Sequence, residues 1–267
     1  MLEVLHYQTC HHPWLIKQFE TFRFDIDGSI YDKFIPRPEI SLIFHFKDIP
    51  LIIGEKTESL PSYFAVPIIE KAVDLEIHGY MDSFVVICRP TSLSRFFHLE
   101  MTPAIFGGIT LPEEIFHPLW QLLSLCRSTE ERIACFNSYI YNIQKEPYKT
   151  DTIDSLYDLI IEKSIAFSME EIMQCCNSCS RTLQRNFVKR TGVTPKFLMR
   201  VVRLHNLWTR VGNLDAVDYL DMVFDGNYFD QAHFIKDFKA ITGETPGSFF
   251  KRNLEIIRKF SGKIYNL

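Results

Sequence analysis

The sequence predicts an α+β protein: a β-rich, barrel-like N-terminal domain with a helical hairpin, then an all-α domain of two helix-turn-helix units joined by a long helix. Three observations predict it. Short aromatic and β-branched runs broken by turn residues fill residues 1 to 100, the apolar spacing becomes helical from Pro112, and a helical unit repeats near the C-terminus. A chain of 267 residues is long enough for two domains that each bury a core without staples.

Phe22 to Ile26, Ile40 to Phe46 and Phe84 to Cys88 read as strands, because they are rich in Phe, Ile and Val. Clusters such as Asp27-Gly28-Ser29 and Pro36-Arg37-Pro38 separate them. Past Pro112, Ile115, Leu119, Leu122 and Leu123 fall at helical spacing. After a break at Arg127-Ser128-Thr129, a second helix places Ile133, Phe136, Ile140 and Ile143 on one face. This hairpin, residues 113 to 145, either packs on the β domain or pairs with a second copy, and core packing is the simpler reading. Lys145 to Thr152, with Pro147 and mixed polar residues, reads as a linker. The expected division is a β-rich domain over 1–146, a linker over 147–152 and an all-α domain over 153–267.

Composition excludes several classes. With 46% hydrophobic and 23% charged residues the chain is not disordered, and no apolar run approaches the roughly 20 residues of a membrane helix. Glu3 and His6 stand where a signal peptide needs a basic flank and then a continuous apolar stretch, so a cytoplasmic location is expected, with no membrane partner. Seven cysteines, without the regular spacing of a disulfide framework, point to reduced thiols. The net charge of -4 hides an asymmetry: residues 151–267 carry 16 Lys+Arg against 14 Asp+Glu, whereas residues 1–150 carry 13 against 19. From Ile172 to Leu214, Arg181, Arg185, Lys189, Arg190, Lys196, Arg200, Arg203 and Arg210 meet no acidic residue, which makes a local basic surface.

The repeat has an offset of 51. It matches Leu183 to Phe234, Arg185 to Lys236, Phe187 to Phe238, Thr191 to Thr242, Gly192 to Gly243, Thr194 to Thr245 and Pro195 to Pro246. Each copy has the same local physics: a helix with apolar residues four apart, a Gly able to take positive φ after it, then Thr as N-cap and Pro at the first position of the next helix. A shorter helix precedes each copy. Ser168 and Glu171 form an S-x-x-E capping box for a helix from Met169 to about Cys176, and the next starts near Cys179. In the second copy Asp215 to Phe224 is the leading helix, Asp225-Gly226-Asn227 the turn and Asp230 the N-cap. Pro195 to Val211 is one long helix between the copies, packing through Leu198, Val201, Val202, Leu204 and Trp208 and stopped by Gly212.

The segments Ser180 to Phe187, Thr191-Gly192-Val193-Thr194-Pro195, Tyr228 to Phe238 and Thr242-Gly243-Glu244-Thr245-Pro246 resemble the AraC family of bacterial transcription regulators, over roughly residues 155 to 252. Ile35 to Phe44 and Cys88 to Leu93 resemble, more weakly, the ligand-binding-type β domain at the front of some of these regulators. Asn227 replaces a usual turn Gly, and Cys179 replaces a usual Ser cap. The resemblance implies a cytoplasmic, bacterial, sequence-specific DNA-binding regulator of transcription, an activator by type, that is not an enzyme and carries no cofactor. Its implied partners are a double-stranded DNA operator, RNA polymerase, a small-molecule effector and a second copy in a homodimer. The alternative is a DNA-binding protein whose N-terminal domain is a protein-interaction module or has its own enzymatic activity.

A recognition helix needs long donors or amides that reach base edges. With Leu183 and Phe187 facing in, Arg181, Thr182, Gln184 and Arg185 are the expected base-reading residues of the first unit. With Phe234 and Phe238 facing in, Gln231, Ala232, His233 and Lys236 are those of the second, His233 being equally readable as a capping or packing residue. Asp230 and Asp237 bring negative charge to the second helix, so the first should carry more affinity. A solvated charged face is the plainer reading of either helix, and the repeat decides against it. Lys189, Lys196, Arg200, Arg203 and Lys239 are the expected phosphate contacts. Cys176-Asn177-Ser178-Cys179, with Cys175 before it, lacks a second ligand pair for zinc and reads as turn cysteines. His11-His12 lacks metal-site spacing, so no metal is expected. Arg37, Glu39, His45 and Arg89 are the titratable residues nearest the β-domain motifs. They are the effector-binding candidates, although a structural ion pair or satisfied core group is the simpler account of each.

Overall fold

The structure is a computed structural model that describes residues 2–101, 108–164, 167–174, 180–210, 228, 230–249 and 251. Seven strands come first: β1 Leu2–Gln8, β2 Ile16–Phe34, β3 Ile40–His45, β4 Leu51–Ile53, β5 Thr57–Ser59, β6 Tyr63–Val66 and β7 Val73–Cys88. They form one antiparallel sheet in the order β1-β2-β7-β3-β6, with β4 pairing with both β5 and β7. β7 organises it, because β2 runs along its whole length while β3 pairs with its C-terminal end and β4 with its N-terminal end.

The apolar run Phe84 to Cys88 is continuous because both faces of β7 are covered. Phe84, Val86 and Cys88 join Phe19, Phe44 and Phe136 in one core, while Met81, Val85 and Ile87 pack with Phe22, Phe24 and Ile77 in another. β2 corrects one expectation. Asp27-Gly28-Ser29, read as a separator, lies inside the strand as a bulge: the register against β7 slips between Ile26 and Ser29, and Gly28 takes φ +91°. Pro36-Arg37-Pro38 is a true break between β2 and β3.

After α1 (Pro90–Phe96), helices α2 (Glu113–Leu125) and α3 (Thr129–Ile143) form the expected hairpin. Ser128 caps α3 through the Glu131 amide. Leu119, Leu123, Phe136 and Ile140 are buried in the same core as the sheet, so the hairpin covers the sheet. Polar contacts fasten it to the sheet, where Trp120 Nε1 donates to the His45 carbonyl at 2.9 Å, Arg132 to both oxygens of Asp82 at 2.8 and 2.7 Å and Arg23 to Thr129 Oγ1 at 3.2 Å, while Tyr139 Oη ties α3 to the Ile115 carbonyl of α2 at 2.6 Å.

The helical half holds α4 (Thr152–Lys163), α5 (Met169–Gln174), α6 (Ser180–Thr191), α7 (Pro195–Arg210), α8 (Gln231–Thr242) and α9 (Pro246–Phe249). Ser168 and Glu171 make the reciprocal capping box, at 3.3 and 2.7 Å. Gly192 and Gly243 take φ +80° and +83°, and the Thr194 and Thr245 hydroxyls accept from the amides of Phe197 and Ser248. The leading helix and turn expected over 215–227, Val211, Gly212, and Cys175, Cys176 and Cys179 lie outside the described residues.

The two halves share a core. Ile68, from the sheet half, packs among Leu156, Tyr157 and Ile160 of α4, Phe187 of α6 and Leu198 of α7. The Ala72 amide donates to the Ile241 carbonyl at 2.8 Å, and Tyr157 Oη to the Pro38 carbonyl at 3.2 Å. The segment expected to link them is itself docked: Tyr148 stacks on Trp14 at 4.6 Å, and Asp151 caps α4. Among the described residues no helix is long and apolar enough to cross a membrane.

Arg132→Ala leaves a buried carboxylate, Asp82, without its bidentate partner, so chemical denaturation should show a loss of about 3–5 kcal/mol. Adding Asp82→Ala should recover part of it. A Cβ at Gly192 would sit 2.7 Å from the Met101 carbonyl oxygen, whereas one at Gly243 meets nothing within 4 Å. Gly243→Ala should therefore cost about the 1–2 kcal/mol of the left-handed conformation, and Gly192→Ala measurably more. Equal losses would contradict the Met101 contact.

Candidate nucleic-acid interface

α6 is amphipathic because Leu183 and Phe187, four apart, are buried at 4% and 0% exposure in the helical core. The same helix leaves Arg181, Thr182, Gln184 and Arg185 exposed. α8 repeats the arrangement with another chemistry. Phe234 and Phe238 are fully buried within an aromatic chain, Tyr228–Phe234–Phe238–Phe249, with ring separations of 5.3, 5.7 and 5.3 Å. Gln231, Ala232, His233 and Lys236 are exposed. Asp230 caps α8 by accepting from the His233 amide at 2.7 Å, and the His233 ring stands edge-on to Tyr228 at 5.3 Å. The structure thus brings each expected base-reading set onto one open helical face.

The expected phosphate contacts divide in two. Lys189, Lys196 and Lys239 are exposed. Arg200 and Arg203, both on α7, are engaged internally. Arg200 pairs with Asp237 at 3.0 Å, tying α8 to the long helix, and Arg203 Nε donates to the Ser164 carbonyl at 2.8 Å, at the C-terminal end of α4 where a cation is favoured. Asp237, expected to bring negative charge to α8, is buried in that ion pair.

Arg190 also departs from the basic surface. Its Nη1 and Nη2 pair with Asp151 and Asp154 at 2.9 and 3.0 Å, and its Nε donates to the Thr91 carbonyl at 2.7 Å and to Ser94 Oγ at 3.2 Å. One guanidinium therefore pins the end of α6 to α1 and to the N-terminus of α4. Burial alone would raise the Asp151 carboxyl, but the Asp154 amide and Arg190 outweigh it and hold it below the ordinary value. Lys33 makes a second tie, to Asp74 at 3.0 Å and to Glu244, beside α8, at 3.4 Å. Sequence reasoning missed both, since the partners lie far along the chain.

The effector candidates have structural partners. Arg37 lies between Glu20, at 3.3 Å, and Glu39, at 3.7 Å, while Lys17 reaches Glu39 at 3.0 Å. Burial would raise both carboxyls, yet Arg37 charge on Glu20, and Lys17 then Arg37 charge on Glu39, hold each at about 2. His45 Nδ1 faces Ser83 Oγ at 2.7 Å, and burial pushes the imidazole down to about 4, so it is neutral. Arg89 pairs with Asp158 on α4 at 2.6 Å. Among the described residues no group of three or more His, Cys, Asp or Glu is placed to hold a metal ion.

Two amphipathic helices of one design, each followed by a glycine in the left-handed conformation and each exposed on its polar side, make up the candidate interface. Residues 176–252 match the family model described as a helix-turn-helix domain. With that domain the chain is a DNA-binding transcription regulator. Among solved structures it is similar to ToxT from Vibrio cholerae, with a TM-score of 0.49 and 10% identity over 88% of this chain and 97% of that one. A ToxT structure from Vibrio cholerae O395 gives 0.47 and 10% over 88% and 96%. No curated protein sequence matches the chain.

Glu20 and Glu39 have folded pKa values below their ordinary value of 4.5. Their contribution to stability is present above about pH 4.5 and is lost as the pH falls through about 2. Equilibrium unfolding should show wild-type stability dropping across that window, with a shallower slope for Glu39→Gln. Parallel curves for the two proteins would contradict the ion network.

Proposed function

We propose that the chain is a sequence-specific regulator whose α6 and α8 enter successive major grooves on one side of the duplex, the N-terminal half serving effector sensing or dimerisation. One observation carries this reading: two helices repeated in sequence each bury a matched apolar pair and leave a matched polar face open.

On α6, Arg181 and Arg185 are suited to bidentate bonds with guanine and Gln184 to adenine, with Thr182 beside them. Each good pair contributes about 1–3 kcal/mol of discrimination. On α8, Gln231 suits adenine, Ala232 a thymine methyl and Lys236 a base or phosphate. His233 stands at the N-terminal edge, held by Tyr228. Lys189, Lys196 and Lys239 supply phosphate contacts that position the protein without reading sequence. Arg200 and Arg203 act indirectly, by holding α8 and α4 against α7. Operator sequence, a homodimer and contact with RNA polymerase belong to the same proposal. An N-terminal enzyme has less support, because Arg37, Glu39, His45 and Arg89 are held in internal pairs.

The test uses DNA selected from a random pool by the full chain. Arg185→Ala should weaken binding by about 1–3 kcal/mol and relax preference at one base position, with a smaller loss for Lys236→Ala. Lys196→Ala should weaken all sequences alike and flatten the dependence of affinity on salt. A larger loss for Lys236→Ala than for Arg185→Ala would reverse the assignment of the stronger unit.

A further inference from the structure

One cavity takes no part in reading DNA. Where residues 145–149 cross the end of α1 they line, with Arg95, Phe96 and His98, an open cavity of about 470 Å³. That is the size of a small-ligand site. Three cations, Arg95, Lys145 and Lys149, line it beside one carboxylate, Glu146, and His98 adds a ring nitrogen; Asp151 and Asp154, outside the lining, lie 3.3 and 3.9 Å from Arg95. Phe96, Pro147 and Tyr148 give it an apolar floor. Arg95 lies 5.2 Å over the Tyr148 ring, and only its Nη1 is engaged, by the Lys149 carbonyl at 2.8 Å and Asp151 Oδ2 at 3.3 Å. The remainder of its guanidinium has no protein partner among the described residues.

The backbone supplies an independent sign. α1 ends with the Leu99 amide donating to the Ser94 carbonyl at 2.8 Å, and His98, two residues past the helix, takes φ +53°. Glycine is the usual occupant of that left-handed position, because it avoids the steric cost of a Cβ. Here an imidazole is kept at the cavity despite that cost.

We infer that this cavity is a binding site for a small organic anion, a carboxylate or phosphate group on an apolar body, with Arg95, His98, Lys145 and Lys149 holding the charge and Phe96 and Tyr148 the body. The site adjoins the tie between the two halves. Asp151 Oδ2 accepts from Arg95 Nη1 and also from Arg190 Nη1, at 2.9 Å. An anion that draws Arg95 away leaves this oxygen to Arg190 and tightens the hold of α1 and α4 on α6. Occupancy of the cavity stands without reference to DNA, whereas its effect on DNA binding rests on the regulator reading above.

Calorimetry on the full chain with phenyl phosphate, inorganic phosphate and phenol as probes tests it. Phenyl phosphate should bind at one site, about tenfold more tightly than phosphate, with phenol silent. The exposed double variant Lys145→Glu/Lys149→Glu should lose at least about tenfold in affinity. His98→Gly should raise the thermal midpoint by about 2–4 °C, yet weaken phenyl phosphate. Absence of binding at millimolar phenyl phosphate, unchanged affinity in the charge-reversed variant, or full affinity in His98→Gly would each overturn the assignment. Saturating phenyl phosphate should shift the affinity for selected DNA, and binding without any shift overturns the Arg95–Asp151–Arg190 relay. Failure to retain any DNA in the selection, beside normal calorimetry, refutes the regulator reading and leaves the cavity assigned.

Discussion

Burial of one apolar pair on each of α6 and α8 is the constraint on which the rest depends. A helix of 12 residues is marginal in water, so each of these exists only while docked. Docking of Leu183 with Phe187, and of Phe234 with Phe238, contributes about 1.5–3 kcal/mol per side chain and at the same time fixes which side of the helix faces out. Stability and display are therefore one arrangement. A substitution that loosened either pair would rotate or melt the exposed polar face as well as weaken the fold.

The long helix α7 turns two local units into one instrument. It carries Leu198, Val201 and Val202 into the first core, and through Arg200 it grips Asp237 of α8. The same side chains that give the segment its basic appearance thus build the support. The sheet half joins it through apolar contact at Ile68, a backbone bond from Ala72 to Ile241, and the charged ties of Arg190 and Lys33. Contacts such as these join the halves, and the polar ones are directional enough to be remade in another geometry.

What was legible in the sequence was local. The Ser168–Glu171 box, the glycines at 192 and 243, and the threonine caps that follow them act within a few residues, and each holds in the structure. Leu183, Phe187, Phe234 and Phe238 were readable because helical period alone assigns them inward. β2 was not, since Gly28 looks the same in a turn as in a bulge and only the partner strand decides. The internal partners of Arg190, Arg200 and Arg203 were not legible for a related reason. A cation on an amphipathic helix flank can reach either solvent or an acceptor brought from 36 to 39 positions away, and spacing does not distinguish the two. The pairing of Arg37 with Glu20 and Glu39 was foreseen in kind, as a structural network, but not in its partners.

The central claim is that two helical probes read one face of a duplex together. Hydroxyl-radical cleavage of selected DNA bound by the full chain measures this most directly. The account predicts two protected patches on the same face, about one helical turn or 34 Å apart, with the α6 patch the more sensitive to Arg185→Ala. A single patch, or two on opposite faces, would contradict it.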